Sequence, residues 1–294
     1  MHNIRYAVQT VRSCFRGWRN APRMLTLMGM IACFAIIYAV PFSKNANMQD
    51  VPLQASEIFI ALLNTRFSML LFSSAAVMLF GDLPVLERFT ANALMRGTRK
   101  SWMAGQALYV VVVSLLLPLF IWLVTLLVAL PNITFANKWS RPVKLLALSG
   151  RIAIPAEQMK LGMPEFIIRN YLPWEAFSHS FALFSCMSCF FGIVSLMLRM
   201  RFQSGSFVVL LGMNIFSWSM AIFDYSGTLY GIMAILSVHY NASLYQHQMV
   251  GFNPLAPNLL VSYAILIIAV IIMLWLSTHA VKRYDFVSLE EHHQ

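Results

Sequence analysis

Apolar residues dominate six stretches of the chain, roughly 25–42, 59–80, 105–130, 176–198, 206–225 and 258–279, and the polar residues gather between them. Each stretch is apolar on all faces, not along one stripe, and each is near the ~20 residues that a helix rising about 1.5 Å per residue needs to cross a bilayer. Such runs read as helices because a spanning helix satisfies its own backbone groups. The pattern predicts an all-α polytopic membrane protein with six transmembrane helices in a single domain over residues 1–294. A seventh apolar run, 228–240, holds 13 residues and suits a re-entrant or exterior helix better than a crossing.

The segments between the spans have patterns of their own. In 1–24, Ile4, Val8, Val11, Phe15 and Trp18 fall within about 80° of helical arc, flanked by Arg5, Arg12, Arg16, Arg19 and Arg23. That pattern predicts a basic amphipathic helix lying on the inner membrane surface, not a cleavable leader. A solvated tail whose charges merely set topology is the plainer alternative. Within 81–104, Leu83, Leu86, Phe89, Ala93 and Leu94 make a short apolar helical face, with Pro84 suited to a first turn. Gly97 then breaks the pattern, and Arg96, Arg99 and Lys100 form a basic cluster before Trp102. Two explanations stand for this segment: positive anchoring at the inner surface, or a docking surface for a cytoplasmic partner. Segment 131–175 mixes charges with Gly150, Pro155, Gly162 and Pro164 and reads as a small exterior subdomain with surface helices.

Composition narrows the class. Of 294 residues, 59% are hydrophobic, the mean hydropathy is +0.69 and 11% are charged. Soluble domains carry about a quarter charged residues, so this chain cannot cover a globule with polar groups. The net charge of +10 does not point to nucleic acid, because the cations sit beside apolar blocks, where headgroups and topology account for them. Segments 1–24, 81–104, 199–205 and 280–294 hold 13 of the 21 Lys and Arg, which puts both termini in the cytoplasm. Segment 131–175 carries six more on the other side, and its length exempts it from the rule.

Candidate chemistry is sparse. No phosphate-cradling Walker motif, zinc-protease HExxH or GxSxG nucleophile elbow occurs. Cys186 and Cys189 are spaced as a CxxC but lie inside an apolar run without a second ligand pair. Glu175 and His179 share a helix face, better suited to capping a helix than to zinc, and His239 and His247 are too few for a metal. Asn132 and Asn241 begin glycosylation sequons that matter only in a eukaryotic secretory pathway. Arg66 stands apart. It falls seven residues into the second apolar run, where a charge costs ~2.5–3.5 kcal/mol at mid-membrane on insertion scales. Counted from Phe59, it lies about 10 Å below the outer boundary. It either snorkels to outer headgroups or faces the bundle interior toward an anionic substrate group or a carboxylate.

Four features together resemble the transmembrane subunit of a type-2 ABC exporter, the permease family without its own ATPase. These are the interfacial helix before span one, the cytoplasmic helix between spans two and three, and the entry to span three from Arg96 and Gly97 through Gly105 and Gln106. The fourth is Phe252, Asn253, Pro254 and Leu255 ahead of a last span that closes on Lys282, Arg283, Tyr284 and Asp285. The likeness covers nearly the whole chain through its six-span layout. It implies that 82–104 is the coupling helix engaged by a cytoplasmic ABC ATPase subunit through Leu86, Glu87, Arg88, Phe89, Leu94 and Arg96. It implies also that ATP and Mg bind on that partner and not here, and that a second permease completes a homodimer or heterodimer. The setting it implies is the bacterial cytoplasmic membrane, with export of a hydrophobic or amphipathic substrate such as a peptide, antimicrobial, lipid or drug. Two departures accompany it: segment 131–175 is longer than the minimal family pattern, and the polar stretch 43–57 has no counterpart role. A stand-alone channel or secondary carrier is the alternative from another class. It is disfavoured because the spans hold almost no interior acids. A membrane-embedded enzyme ranks behind both.

The coupling segment makes a direct prediction. If an ATPase cleft grips Leu86, Phe89 and Leu94 as amphipathic helices are gripped elsewhere, losing one anchor costs ~1–2 kcal/mol and loosens docking about tenfold. Phe89→Ala should therefore lower ATPase co-purification while membrane insertion survives. Intact association in both Phe89→Ala and Leu86→Ala would reduce the segment to a topology anchor.

Overall fold

A computed structural model describes residues 2–48, 50–84, 98–130, 132–149, 163–202, 205–222, 227–251 and 255–283. The chain is all-α, 84% helical. In order, the elements are α1 (His2–Asn20), α2 (Pro22–Met48), β1 (Leu53–Gln54), α3 (Glu57–Asn64), α4 (Arg66–Phe80) and α5 (Arg99–Ala129). There follow β2 (Ile133–Thr134), α6 (Arg141–Ser149), α7 (Glu165–Asn170), α8 (Pro173–Arg201) and α9 (Ser206–Ile222). The chain continues through α10 (Gly227–Leu236), α11 (Val238–Ala242), a 3-10 segment (Leu244–Gly251) and α12 (Leu259–Arg283).

Four helical stretches are long and apolar enough to cross a membrane: Pro22–Lys44, Arg99–Ala129, Pro173–Arg201 and Leu259–Lys282. The protein is membrane-embedded on this ground. The uninterrupted run expected over 59–80 is instead two helices, α3 and α4, bent by 85° at Thr65 and amounting to a fifth crossing only if taken as one broken span. The cause is local. Asn64 Nδ2 donates to the Ile60 carbonyl (2.9 Å), Thr65 Oγ1 to the Ala61 carbonyl (2.8 Å) and Ser68 Oγ to the Leu62 carbonyl. Side chains thus take over the last acceptors of α3, so the backbone can turn through an extended Thr65 without stranding them. Helix α9 has 17 residues, about 25 Å, and falls short of a full crossing by itself.

The core is organised on α8. It packs against α3, α4, α5, α9, α11 and α12, and its apolar stretch is mostly buried by them, whereas that of α12 is mostly exposed. Small residues on α8 permit this crowding: a Cβ added at Gly192 would run into Val110 of α5 and Phe80 of α4. At the basic ends of the helices, cations cap carbonyls. Arg23 hydrogen-bonds the Met78 carbonyl (2.9 Å) and pairs with Asp82, Arg199 reaches the Gly81 carbonyl (3.0 Å), and Ser195 donates to the Phe80 carbonyl (2.7 Å). Together they close the C-terminal end of α4, while Arg99 does the same for α12 at the Lys282 carbonyl (2.8 Å). Thr98 and Ser101 form a capping box that starts α5 six residues before the expected boundary.

Helix α1 has the anticipated phase, with Cys14 buried, Val11, Phe15 and Trp18 half-buried, and Arg5, Arg12 and Arg16 exposed. Val8 departs from it and is exposed. The apolar face is not bare: it lies on α5, where Trp18 Nε1 donates to Tyr109 Oη (2.6 Å) and the Phe15 and Tyr109 rings meet edge to face. On the far side, β1 and β2 pair in parallel, Leu53 with Ile133 and Gln54 with Thr134. That pairing ties the polar stretch after α2 to segment 131–175, of which α6 and α7 are the described helices.

The α1–α5 contact depends on Gly105, where a Cβ would lie 2.6 Å from Thr10 Cβ and 3.0 Å from the Ala7 carbonyl oxygen. Gly105→Val should therefore cost about 1–3 kcal/mol through overpacking. The expected readouts are a lower thermal unfolding midpoint and faster tryptic cleavage at Arg12 and Arg16. Unchanged values for both would mean that α1 is not seated on α5.

Candidate functional site

Six anticipated site residues, Leu86, Glu87, Arg88, Phe89, Leu94 and Arg96, lie outside the described residues. What the structure does describe is a polar cluster at the end of the bundle opposite the cation-capped carbonyls. It is built from the start of α4, α8 and α12, the end of α9, and the α10–α11–3-10 element.

Asn64 is its first node. Buried beside the Thr65 break, it donates to Ser180 Oγ of α8 (2.9 Å) and accepts from the Tyr245 backbone N–H (3.2 Å), joining three elements through one amide. His239 is the second. Its Nε2 meets Ser73 Oγ of α4 (2.9 Å), and its Nδ1 meets Ser217 Oγ of α9 (3.0 Å). Ser73 donates its own proton to the Leu70 carbonyl (3.0 Å), so it accepts from Nε2–H. Ser217 then donates to Nδ1 while accepting the His239 backbone N–H (3.2 Å). A neutral ring closes every bond. Burial acts in the same direction, pushing the His239 pKa down to about 3.

The third node is the break between α10 and α11. Ser237 Oγ caps α11 by accepting from the Tyr240 N–H (3.0 Å) and donates to the Ser217 carbonyl (2.7 Å). Asn241 Nδ2 takes the Ala234 (2.9 Å) and Ser237 (2.7 Å) carbonyls, and its Oδ1 accepts from Ser262 Oγ of α12 (2.8 Å). His247 donates from Nδ1 to the Ser243 carbonyl (2.9 Å) and meets the same Ser262 hydroxyl through Nε2 (2.9 Å). Burial lowers its pKa, its backbone hydrogen bonds oppose that shift, and nearby His179 adds to it. The run 228–240, expected as one short helix, is therefore divided at Ser237 into two helices, neither long enough to span.

Arg66 is the anticipated site residue that falls here, and its setting differs from the expected one. It is not seven residues down a continuous span but the first residue of α4, just after the bend, with an exposed side chain. The depth counted from Phe59 fails because α3 and α4 are not collinear. Its backbone carbonyl accepts from Trp218 Nε1 (2.8 Å). With Asn64, Trp218, His239, Ser243 and Gln246 it lines a cavity of about 10 Å³, room for about one water. No carboxylate pairs with it among the described residues. A cation at a helix N-terminus faces the positive end of the dipole, at a cost of ~0.3–1 kcal/mol. Helix stability therefore does not account for Arg66.

The remaining candidates have structural tasks. Glu175 Oε2 accepts the Leu172 N–H (3.2 Å) and caps α8, while His179 Nδ1 meets Tyr263 Oη of α12 (3.1 Å). Cys186 and Cys189 are half-buried and free on α8. Sequence reasoning missed Glu57, which is fully buried and accepts from the Gln54 N–H (3.0 Å), the Ser140 N–H (2.5 Å) and Ser140 Oγ (2.8 Å). Its carboxylate sits at the N-terminus of α6 and ties that helix to the start of α3. Missed too were Asn64, Ser73, Ser180, Ser217 and Ser262. The available signal was small polar residues recurring inside apolar runs, which in a membrane must find partners on neighbouring helices. No family model, curated protein or solved structure matches the chain.

The His239 network carries a pH prediction. Its folded pKa lies below the unfolded value of about 6.5, so the unfolded chain takes up the proton first on acidification. Stability is then complete above about pH 6.5 and declines as pH falls toward the folded value. The thermal midpoint should drop between pH 7 and pH 5, and His239→Gln should flatten that slope. An unaltered slope in the variant would remove His239 from the account.

Proposed function

We propose that this chain is the transmembrane permease subunit of an ATP-driven ABC exporter, moving a hydrophobic or amphipathic substrate across a bacterial cytoplasmic membrane. The observation that carries the reading is the two-ended construction of the bundle. One end has carbonyls capped by arginines and the connection 81–98 between α4 and α5. The other is closed by a bent helix, two short helices and the polar cluster that ties them together. In this reading the capped end is cytoplasmic, α1 is the interfacial helix, and the bent pair and α9 complete six passes. The α10–α11 element is re-entrant from the exterior. ATP and Mg act on a separate ATPase that grips 82–104, and a second permease supplies the other half of the pathway.

Arg66 stands at the exterior mouth of that arrangement, next to the re-entrant element and without an acidic partner among the described residues. It would meet anionic groups leaving the pathway. The sequence places almost no Asp or Glu inside the apolar runs, which favours ATP over a proton gradient as the energy source.

The reading is tested by expressing the full chain with ABC ATPase subunits from the same genome, purifying any pair that forms and reconstituting transport. Association with the ATPase and substrate-stimulated ATP hydrolysis are the expected results. Failure to associate would overturn the exporter reading. In the same assay Arg66→Gln should reduce transport of an anionic substrate with insertion unchanged. Equal transport would leave Arg66 as a headgroup contact.

A further inference from the structure

Three arginines on α1 have no protein partner among the described residues. Arg5, Arg12 and Arg16 are exposed, and none makes a hydrogen bond or ion pair with the rest of the described chain. No acid lies near them in sequence, because the first Asp or Glu of the chain is Asp50. On a helix of 3.6 residues per turn the three fall within about 40° of arc and spread over about 16 Å. They form a row.

The opposite side of α1 is taken up by α5. Ala7 and Thr10 lie over Gly105, Cys14 Sγ donates to Gln106 Oε1 (3.9 Å) and Trp18 bonds Tyr109. Those four positions centre about 180° from the arginine row. The face that could have entered hydrocarbon is therefore occupied, and among the described large apolar residues of α1 only Val8 is exposed. Hydrophobic insertion does not hold this helix at a membrane.

Its depth follows from connectivity and crossing geometry. Helix α1 ends at Asn20 and the apolar span Pro22–Lys44 starts two residues later, so the end of α1 lies at the boundary of the apolar layer. From Thr10 to Trp18 the chain advances about 12 Å along α1, while the matching contacts advance about 6 Å along α5. Helix α1 therefore crosses α5 obliquely and does not follow it through the apolar layer. The row faces away from the bundle, at the level of the headgroups.

We propose that Arg5, Arg12 and Arg16 form a docking surface for anionic phospholipid, each guanidinium taking a lipid phosphate. A guanidinium makes paired, charge-assisted hydrogen bonds to phosphate, and an anionic leaflet presents such groups along the whole length of the row. From the exporter reading this uses only that α1 is interfacial; it depends neither on transport nor on an ATPase. Arg12 and Arg16, one turn apart, repel each other in the bare helix, and phosphate removes that conflict. The three groups align only while α1 is helical, so bound lipid stabilises the helix by mass action.

The test titrates the full chain, purified in a neutral detergent, with phosphatidylglycerol, phosphatidylcholine or inorganic phosphate. It reads the thermal midpoint and the protection of α1 amides from hydrogen exchange. Phosphatidylglycerol should raise both, the other two neither, and high salt should erase the gain. At about fivefold in affinity per basic residue, replacing all three arginines by glutamine should weaken phosphatidylglycerol binding about a hundredfold. The midpoint of that variant in phosphatidylcholine should hold, because its α5-facing side is intact. Should the triple variant fail to fold, Arg12→Gln alone should show the fivefold loss. Lys138→Gln and Lys144→Gln, exposed at and before α6, should keep the full gain. An equal response to phosphatidylcholine or inorganic phosphate, a gain that survives high salt, or unchanged phosphatidylglycerol affinity in the glutamine variants would overturn the site. Unchanged lipid affinity together with lost ATPase capture would assign the row to a protein partner instead.

Discussion

Every peptide group that leaves a regular helix inside an apolar medium must find a partner from its own chain, and the rest of this structure depends on that constraint. At Thr65 the acceptors released by an 85° bend go to Asn64, Thr65 and Ser68. At Ser237 the Tyr240 N–H goes to the serine hydroxyl and the Ala234 and Ser237 carbonyls to Asn241. At the end of α4 the carbonyls go to Arg23, Arg199 and Ser195. Each irregularity is therefore marked by hydroxyls, amides or guanidinium groups. An unsatisfied buried carbonyl or N–H costs ~1–3 kcal/mol, so these side chains are conditions for the bends, not ornaments on them.

The same constraint explains what could be read from sequence. Helix class and the four long apolar helices were legible because hydropathy summed over ~20 residues overwhelms any local detail. The phase of α1 was legible too, since Val11, Phe15 and Trp18 agree with the positions of Arg5, Arg12 and Arg16. The bend was not. Averaging across 59–80 dilutes the polar residues Asn64, Thr65, Arg66 and Ser68 among apolar neighbours, although that cluster is itself the signal for a backbone break. Arg66 stands out in the sequence by its charge, but a depth counted along the run holds only for a straight helix, and the 85° bend at Thr65 removes that condition. The polar cluster escaped altogether: Ser73, Ser217 and His239 lie far apart in sequence, and nothing short of the packing brings them together. Glu57 escaped for a related reason, since its partner Ser140 belongs to a segment that read only as an exterior subdomain.

Cations in such a chain are usually counted as topology signals, and here several have a second role. Arg23, Arg99 and Arg199 bind carbonyls at helix C-termini, where the dipole favours positive charge. The two roles coincide in space because helix C-termini and anionic headgroups both attract cations at a membrane surface. Arg66 has neither excuse. It sits at a helix N-terminus and is free of an acid among the described residues, which is why the functional argument falls on it and not on its more numerous counterparts.

The contrast between α8 and α12 has a consequence for how the gene can change. Helix α8 is enclosed by its neighbours, and its small residues fix how near they come. Its substitutions are judged by shape, position by position. Outward-facing positions on α12, such as Ile267, Ile268, Ile271 and Ile272, are judged by little more than solubility in lipid. Leu, Val or Phe would serve there equally well. Over generations the two helices should therefore diverge at very different rates, α12 drifting through apolar synonyms while α8 stays close to its present text.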